Sequence, residues 1–224
     1  MRENEYKAIT ERLKAGETVE ITDVAGFLRC SAADDIRRGL EAAATCSRPL
    51  SVGDLERILT IYGGNRTVWA LFTRIVAEYG VTSEALAAGL AHAYTTGAGD
   101  RQTALYLFRN VEAAQMMNAE DLEALRGFPE FLTIYRGANL NEQGRRRYGL
   151  SWTRDRQTAE FFAWRFNPQD TGRAVFRTTI RAADVLAYFN TRGEQEIIAD
   201  VRGPVEVIAR EPSALYWERM RGRR

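Results

Sequence analysis

The chain is poor in the residues that most metal, redox and triad chemistries use. It holds one histidine, His92, and two cysteines, Cys30 and Cys46, in 224 residues. A single histidine removes histidine-built zinc sites and Ser-His-Asp catalysis. The two cysteines are too far apart in sequence for a redox pair or a metal knuckle, and no metal is expected. Long apolar runs are missing as well: nothing approaches the roughly 20 residues of a membrane helix. The opening segment, Met1 to Glu17, is charged and lacks an apolar signal region. An excess of one charge is also absent, with 31 basic residues against 30 acidic ones. That balance argues against a binder that wraps nucleic acid with its whole surface. The local basic runs, Arg145-Arg146-Arg147 and Arg219, Arg221, Arg223 and Arg224 in the tail, read as solvated charge. The expectation is a soluble protein of a reducing compartment, with no membrane partner; export by a signal-independent route stays compatible with it.

What is present falls into two textures. The first ~125 residues read as successive helices. Ser31 with Asp34, Ser51 with Asp54 and Asn118 with Asp121 each pair a capping side chain with an acid suited to the positive end of a helix. Between Arg66 and Gly80, the residues Val68, Leu71, Phe72, Ile75, Val76 and Tyr79 repeat at helical spacing, and Gly80 is a stop signal. His92 lies in an alanine-rich helical stretch and reads as packed there. The aromatic and methionine residues of this half read as core.

From Pro129 onward, short β-branched and aromatic runs alternate with turn residues. One helix interrupts them, capped by Asp155, with Ala159, Phe162, Ala163 and Phe166 as its apolar stripe. A second short helix is expected over Ala182–Phe189. The predicted architecture is α+β: an all-helical domain over 1–127, packed on a mixed β-sheet domain over 128–224.

The segment Gly97–Gln102 half-matches a dinucleotide-binding loop, but it lacks the third glycine and a preceding strand. No P-loop and no nucleophile elbow occur. Three pieces of the second half carry chemistry. Arg136, at a strand end between Tyr135 and Gly137, can turn its planar fork onto a phosphate or carboxylate, with the glycine admitting the ligand. In Tyr148–Thr153, Ser151 and Thr153 share one side of a strand and Trp152 points the other way. In Glu194-Gln195-Glu196, the two carboxylates share a strand face and favour a cationic guest. Taken alone, the arginine and the glutamate pair read more readily as ordinary strand surface, and the serine–threonine strand reads at least as readily so.

Taken in order, Tyr135-Arg136-Gly137, Tyr148-Gly149-Leu150-Ser151-Trp152-Thr153 and Glu194-Gln195-Glu196 resemble the arginine–serine–glutamate class of mono-ADP-ribosyltransferases. That family includes bacterial toxins and effectors and phage-encoded modifying enzymes. The resemblance spans Phe131 to Arg210 and extends to the helix bearing Ala159, Phe162 and Ala163. It departs where the family's Ser-Thr-Ser is Ser-Trp-Thr here. The aromatic clamp has only candidates: Trp164, Phe166 and Phe189.

The resemblance implies an ADP-ribosyltransferase-like core with NAD as co-substrate. Arg136, flanked by Tyr135 and Gly137, would anchor the pyrophosphate, and Ser151, Trp152 and Thr153 would line the NAD site. Ser151 would hold Glu196 or the ribose in register, and Glu196 would stabilise the ribosyl cation. Glu194 would address the acceptor, an arginine side chain being favoured over other side chains or nucleic acid, with Asn190–Gly193 as the acceptor-recognising loop. It further implies a setting of toxin, effector or phage–host conflict, in the cytoplasm of the producer or of a target cell, with an inhibitor or immunity protein as a further partner. The helical half would recognise the target, bind an inhibitor or brace the sheet. An NAD glycohydrolase, a transferase acting on nucleic acid, and a non-catalytic binding module are the alternatives.

Overall fold

The computed structural model describes residues 1–97, 99–144 and 148–221. The basic run at 145–147 and the tail arginines at 223 and 224 lie outside the described residues, as does the side chain of Arg219. The chain divides into two compact units, Met1–Asp100 and Arg101–Arg224. Among the described residues no helix is long and apolar enough to cross a membrane.

The first unit is helical: α1 (Glu3–Lys14), α2 (Val24–Ala44), α3 (Val52–Tyr62), α4 (Val68–Tyr79) and α5 (Ser83–Thr96). Of the stripe read between Arg66 and Gly80, Val68, Leu71, Phe72 and Ile75 are buried, together with Leu55, Ile58, Leu59 and Leu90 of neighbouring helices, whereas Val76 and Tyr79 are only half-buried. Gly89 lets α5 come close to its neighbours, since a Cβ there would lie 2.6 Å from Leu55 and 2.8 Å from Phe72. Ser51 caps α3, accepting the Asp54 N–H at 3.2 Å, and Gly80, with φ +72°, ends α4. Ser31 is not a cap. Asp23 starts α2 by accepting the Gly26 N–H at 2.9 Å, and the helix runs straight through Ser31. His92 is half-buried within α5.

The second unit opens with α6 (Arg101–Asn110), α7 (Ala113–Met116) and α8 (Ala119–Arg126). It continues with β1 (Phe131–Asn139), α9 (Asn141–Gly144), β2 (Ser151–Thr153), α10 (Arg156–Trp164) and β3 (Arg173–Arg181). A 3-10 turn (Ala182–Asp184) leads to β4 (Val185–Phe189), β5 (Glu196–Ala199), β6 (Glu206–Ala209) and α11 (Ala214–Arg221). The six strands form one sheet in the order β4-β5-β2-β1-β3-β6.

The α+β class holds, but the sheet is antiparallel at every described pairing rather than mixed. Although α10 carries the chain across from β2 to β3, the strand it delivers does not lie beside β2; it pairs with β1, in the opposite direction. The α-helix expected over Ala182–Phe189 is a 3-10 turn over Ala182–Asp184 followed by a strand over Val185–Phe189. Its β-branched and aromatic residues pair along β5, which buries Ala187 and Tyr188.

The change of texture at Pro129 marks the switch from helix to strand, whereas the compact units part after Asp100. Polar bonds tie α6 to α8 to the sheet side. Asn118 caps α8 through the Asp121 N–H at 2.7 Å, and the Asp121 carboxylate in turn accepts the Asn190 N–H at 3.1 Å, just past β4. Met117 S accepts the Tyr188 N–H at 3.2 Å. Arg109 of α6 pairs with Asp200 at 2.7 Å, and Arg101 reaches the same carboxylate.

Candidate active site

One row of residues crosses four strands. Tyr135 on β1 faces Thr153 on β2, Thr153 faces Glu196 on β5, and Glu196 faces Phe189 on β4. Directly opposed residues of antiparallel strands present their side chains on one face. Ser151, two residues before Thr153, shares that face. Its hydroxyl donates to Glu196 Oε1 at 2.6 Å. Burial raises the Glu196 pKa above the ordinary carboxylate value, and the nearby charge of Glu194 adds to the shift. The Ser151 hydrogen bond and the charges of Arg192 and Arg136 oppose it.

Arg136 is held on three sides. Its Nε and Nη2 donate to the two oxygens of Glu142, each at 2.9 Å, and its Nη1 donates to the Ser151 carbonyl at 2.6 Å. Glu142 also accepts the Gly149 N–H at 3.1 Å. The registered pairing of β1 with β2 is confined to Tyr135 and Thr153. Where the strands part, the guanidinium supplies the donor that Ser151's carbonyl would otherwise find in a ladder. Gly149 makes room for it: a Cβ there would stand 2.3 Å from Arg136 Nη2. Burial alone would raise the Glu142 pKa, but Arg136, the Gly149 N–H and the charge of Arg173 outweigh it and hold the carboxyl below its ordinary value.

The residues around Arg136 are placed differently from expectation. Gly137 opens no space for a ligand, because a Cβ would lie 1.9 Å from Ala159 O and 2.5 Å from Ala163 N. Its bareness serves the close approach of α10 to β1. Tyr135 packs on the cluster of Ala159, Ala163, Trp164, Val175 and Tyr216. Trp152 is buried on the far side, edge-on to Tyr148, with its Nε1 donating to Gly149 O at 3.1 Å. It is a core residue that shapes the Gly149 turn. Thr153 is buried too; its hydroxyl donates to Glu194 O at 2.6 Å and accepts the Asp155 N–H at 3.0 Å. It pins both the Glu194 turn and the start of α10, which Asp155 caps through the Gln157 and Thr158 N–H groups.

The two glutamates do not share a strand. β5 begins at Glu196, and Gln195 has φ +47°, an uncommon backbone for a residue other than glycine. The turn is held by Asn190, whose Oδ1 accepts the Gln195 N–H at 3.1 Å and whose carbonyl accepts the Gly193 N–H at 2.7 Å. The carboxylates nevertheless converge on one cation. Arg192 Nη2 lies 3.0 Å from Glu194 Oε2 and 4.0 Å from Glu196 Oε2.

Among the candidate aromatics, Trp164 is wholly buried, and its Nε1 finds no hydrogen-bond partner among the described residues. Phe166 is 83% exposed and carries the Arg165 guanidinium over its ring. Phe189 is half-buried and stands opposite Glu196 in the β4–β5 register, on the same face of the sheet. Sequence reasoning missed Glu142 and Arg192, and it gave Gly149 no separate role. Their only signals were nearness: Glu142 follows Arg136 by six residues, and Arg192 sits inside the loop before Glu194.

Comparison with protein-family models, curated proteins and solved structures gave no match.

Proposed function

We propose that the second unit is an NAD-dependent mono-ADP-ribosyltransferase, a glycosyltransferase that moves ADP-ribose from NAD to a protein side chain, arginine being favoured. The observation that carries this reading is the chain of contacts Arg136 Nη1 to Ser151 O, and Ser151 Oγ to Glu196 Oε1, both at 2.6 Å. It links the three residues whose order in the sequence suggested the activity, through a single strand residue.

In NAD the bond between ribose C1′ and the nicotinamide nitrogen breaks with both electrons going to the nitrogen. Nicotinamide leaves as a neutral pyridine and needs no proton. The site then has two tasks, to hold the diphosphate and to stabilise positive charge at C1′. Arg136 serves the first. Glu196, poorly solvated and fixed by Ser151, serves the second in its ionised form. For a guanidinium acceptor, a nitrogen lone pair forms the new bond to C1′, and the proton it sheds passes to Glu194. The seat beside Glu194 suits a guanidinium, since Arg192 already lies against it. The reading places the reaction in the cytoplasm of the producer or of a target cell, in a setting of toxin, effector or phage–host conflict.

The test is a pair of variants given biotinylated NAD and a host lysate, with nicotinamide release followed in parallel. Glu196→Ala abolishes both release and labelling, while Glu194→Ala keeps release and loses labelling. Release that persists in Glu196→Ala overturns the catalytic assignment. Labelling that persists in Glu194→Ala overturns the acceptor assignment.

A further inference from the structure

We propose that Glu142 is an in-chain occupant of the anion seat on Arg136, and that a diphosphate ligand binds by displacing it. This rests on the reading of Arg136 as the diphosphate anchor. A guanidinium offers paired N–H groups that match either a carboxylate or a phosphate. Arg136 Nη1 is committed to the Ser151 carbonyl inside the sheet. The Nε–Nη2 edge is the one left to meet a ligand, and both of its donors are on Glu142 at 2.9 Å. The same carboxylate takes the Gly149 N–H at 3.1 Å. Two guanidinium donors and a bare glycine N–H form the donor set that phosphate oxygens use, and Gly149 lacks the Cβ that would close it.

The occupant is built to leave. Glu142 sits on α9, a single helical turn, and a helix of that length has little cohesion of its own. The turn is tied by Asn141 N to Asn139 Oδ1 at 2.8 Å and by Leu140 N to Gly172 O at 2.9 Å. Both ties lie outside the seat. The Glu142 side chain is already about one-quarter exposed, 24%, so water receives its charge readily once the fork lets go. Exchange of one anion for another keeps the seat neutralised throughout. The seat is therefore never an open positive site, and a weak monoanion gains little by entering it. Glu142 thus sets both the affinity for a diphosphate and the discrimination against lesser anions.

The experiment is calorimetric titration of NAD and, separately, inorganic pyrophosphate into the full chain as wild type, Glu142→Gln and Glu142→Asp. Glu142→Gln is expected to bind both ligands on the order of tenfold more tightly, the scale of one charge-assisted contact no longer in competition. Glu142→Asp, whose shorter arm weakens the fork but keeps the helix start, shows a smaller gain in the same direction and carries the test if the glutamine variant does not fold. Unchanged or weaker binding in these variants overturns the proposal and makes Glu142 a residue that positions Arg136. Tighter pyrophosphate with no NAD binding in any protein keeps the competition and sinks the NAD reading instead. Binding of neither ligand overturns both.

Discussion

Ser151 and Glu196 meet across β2 and β5, with the hydroxyl donating to the carboxylate at 2.6 Å. The residues are far apart in sequence, and only the antiparallel register of Ser151 with Ile198 and Thr153 with Glu196 makes them neighbours. The bond stabilises the ionised carboxylate in a position where burial favours the neutral one. On the proposed reading, Glu196 must be ionised to stabilise a ribosyl cation, so activity is expected above its pKa and is expected to be lost below it. Ser151→Ala removes one of the effects that hold that pKa down. The acid limb of nicotinamide release against pH therefore moves to higher pH, with kcat/KM down by about tenfold at neutral pH, the scale of a lost hydrogen bond to a charge. A limb that stays in place would show that Ser151 acts on the ligand rather than on Glu196.

Burial favours the neutral form of Glu196, so ionising it works against the fold. Its pKa is raised in the folded chain, mainly by burial, so the unfolded carboxyl ionises first as pH rises. Stability is fully present below the unfolded value and falls as pH rises through the folded one. Glu196→Gln keeps the shape and removes the charge. It is expected to stabilise the chain by on the order of 1 kcal/mol at pH 7, with no gain near pH 3, while abolishing NAD cleavage. Urea unfolding at the two pH values tests it, and a variant less stable at neutral pH would contradict the sign.

Two glycines flank the site for different reasons, and alanine separates them. At Gly137 the new methyl would sit 1.9 Å from a backbone oxygen of α10, which cannot move without shifting the helix. Gly137→Ala should lose about 3 kcal/mol or unfold the second unit. At Gly149 the clash is with the end of the Arg136 side chain, at 2.3 Å from Nη2. That end is side chain rather than backbone and can shift, but only by loosening its bonds to Glu142 and the Ser151 carbonyl, so Gly149→Ala should cost less than Gly137→Ala, about 1–2 kcal/mol of stability. Its effect falls on the seat, with NAD binding weakened by about tenfold as the fork loses its position. Equal destabilisation by the two substitutions would refute the distinction.

How much of this was legible beforehand follows from the range of each interaction. The caps at Ser51, Asn118 and Asp155 are local, made within one turn of chain, and the sequence displays them. Ser31 has the same local pattern, but Asp23 starts the helix earlier and overrides it. Val185–Phe189 has a short pattern compatible with helix or strand, and pairing with β5 decides it from a distance. Arg136, Ser151 and Glu196 were legible as an ordered set, and the fold brings them together. The reasoning about Gly137 failed because nothing local says that α10 will lie on it. The shared strand face of Glu194 and Glu196 failed because one left-handed residue, Gln195, breaks the alternation. Glu142 and Arg192 were invisible as partners, since an acid or base on a loop gives no sign of which opposite charge it will meet.

Arg192 supplies the last prediction. Its guanidinium bridges toward Glu194 and Glu196 at 3.0 Å and 4.0 Å, where the proposed acceptor would bring its own. An external guanidinium must therefore displace it. The side chain is 52% exposed, so the pair is screened and its loss is worth little to the fold. Arg192→Ala is expected to lower the KM for a small guanidinium acceptor such as agmatine by about threefold, the scale of one solvent-exposed ion pair. The KM for NAD should stay within about twofold, because Arg136 and Glu142 lie outside the exchange. Steady-state transfer to agmatine, with each substrate varied in turn, separates the two constants. A raised KM for agmatine would mean that Arg192 helps to shape the acceptor seat rather than fill it. An effect confined to NAD would move Arg192 to the other half of the site.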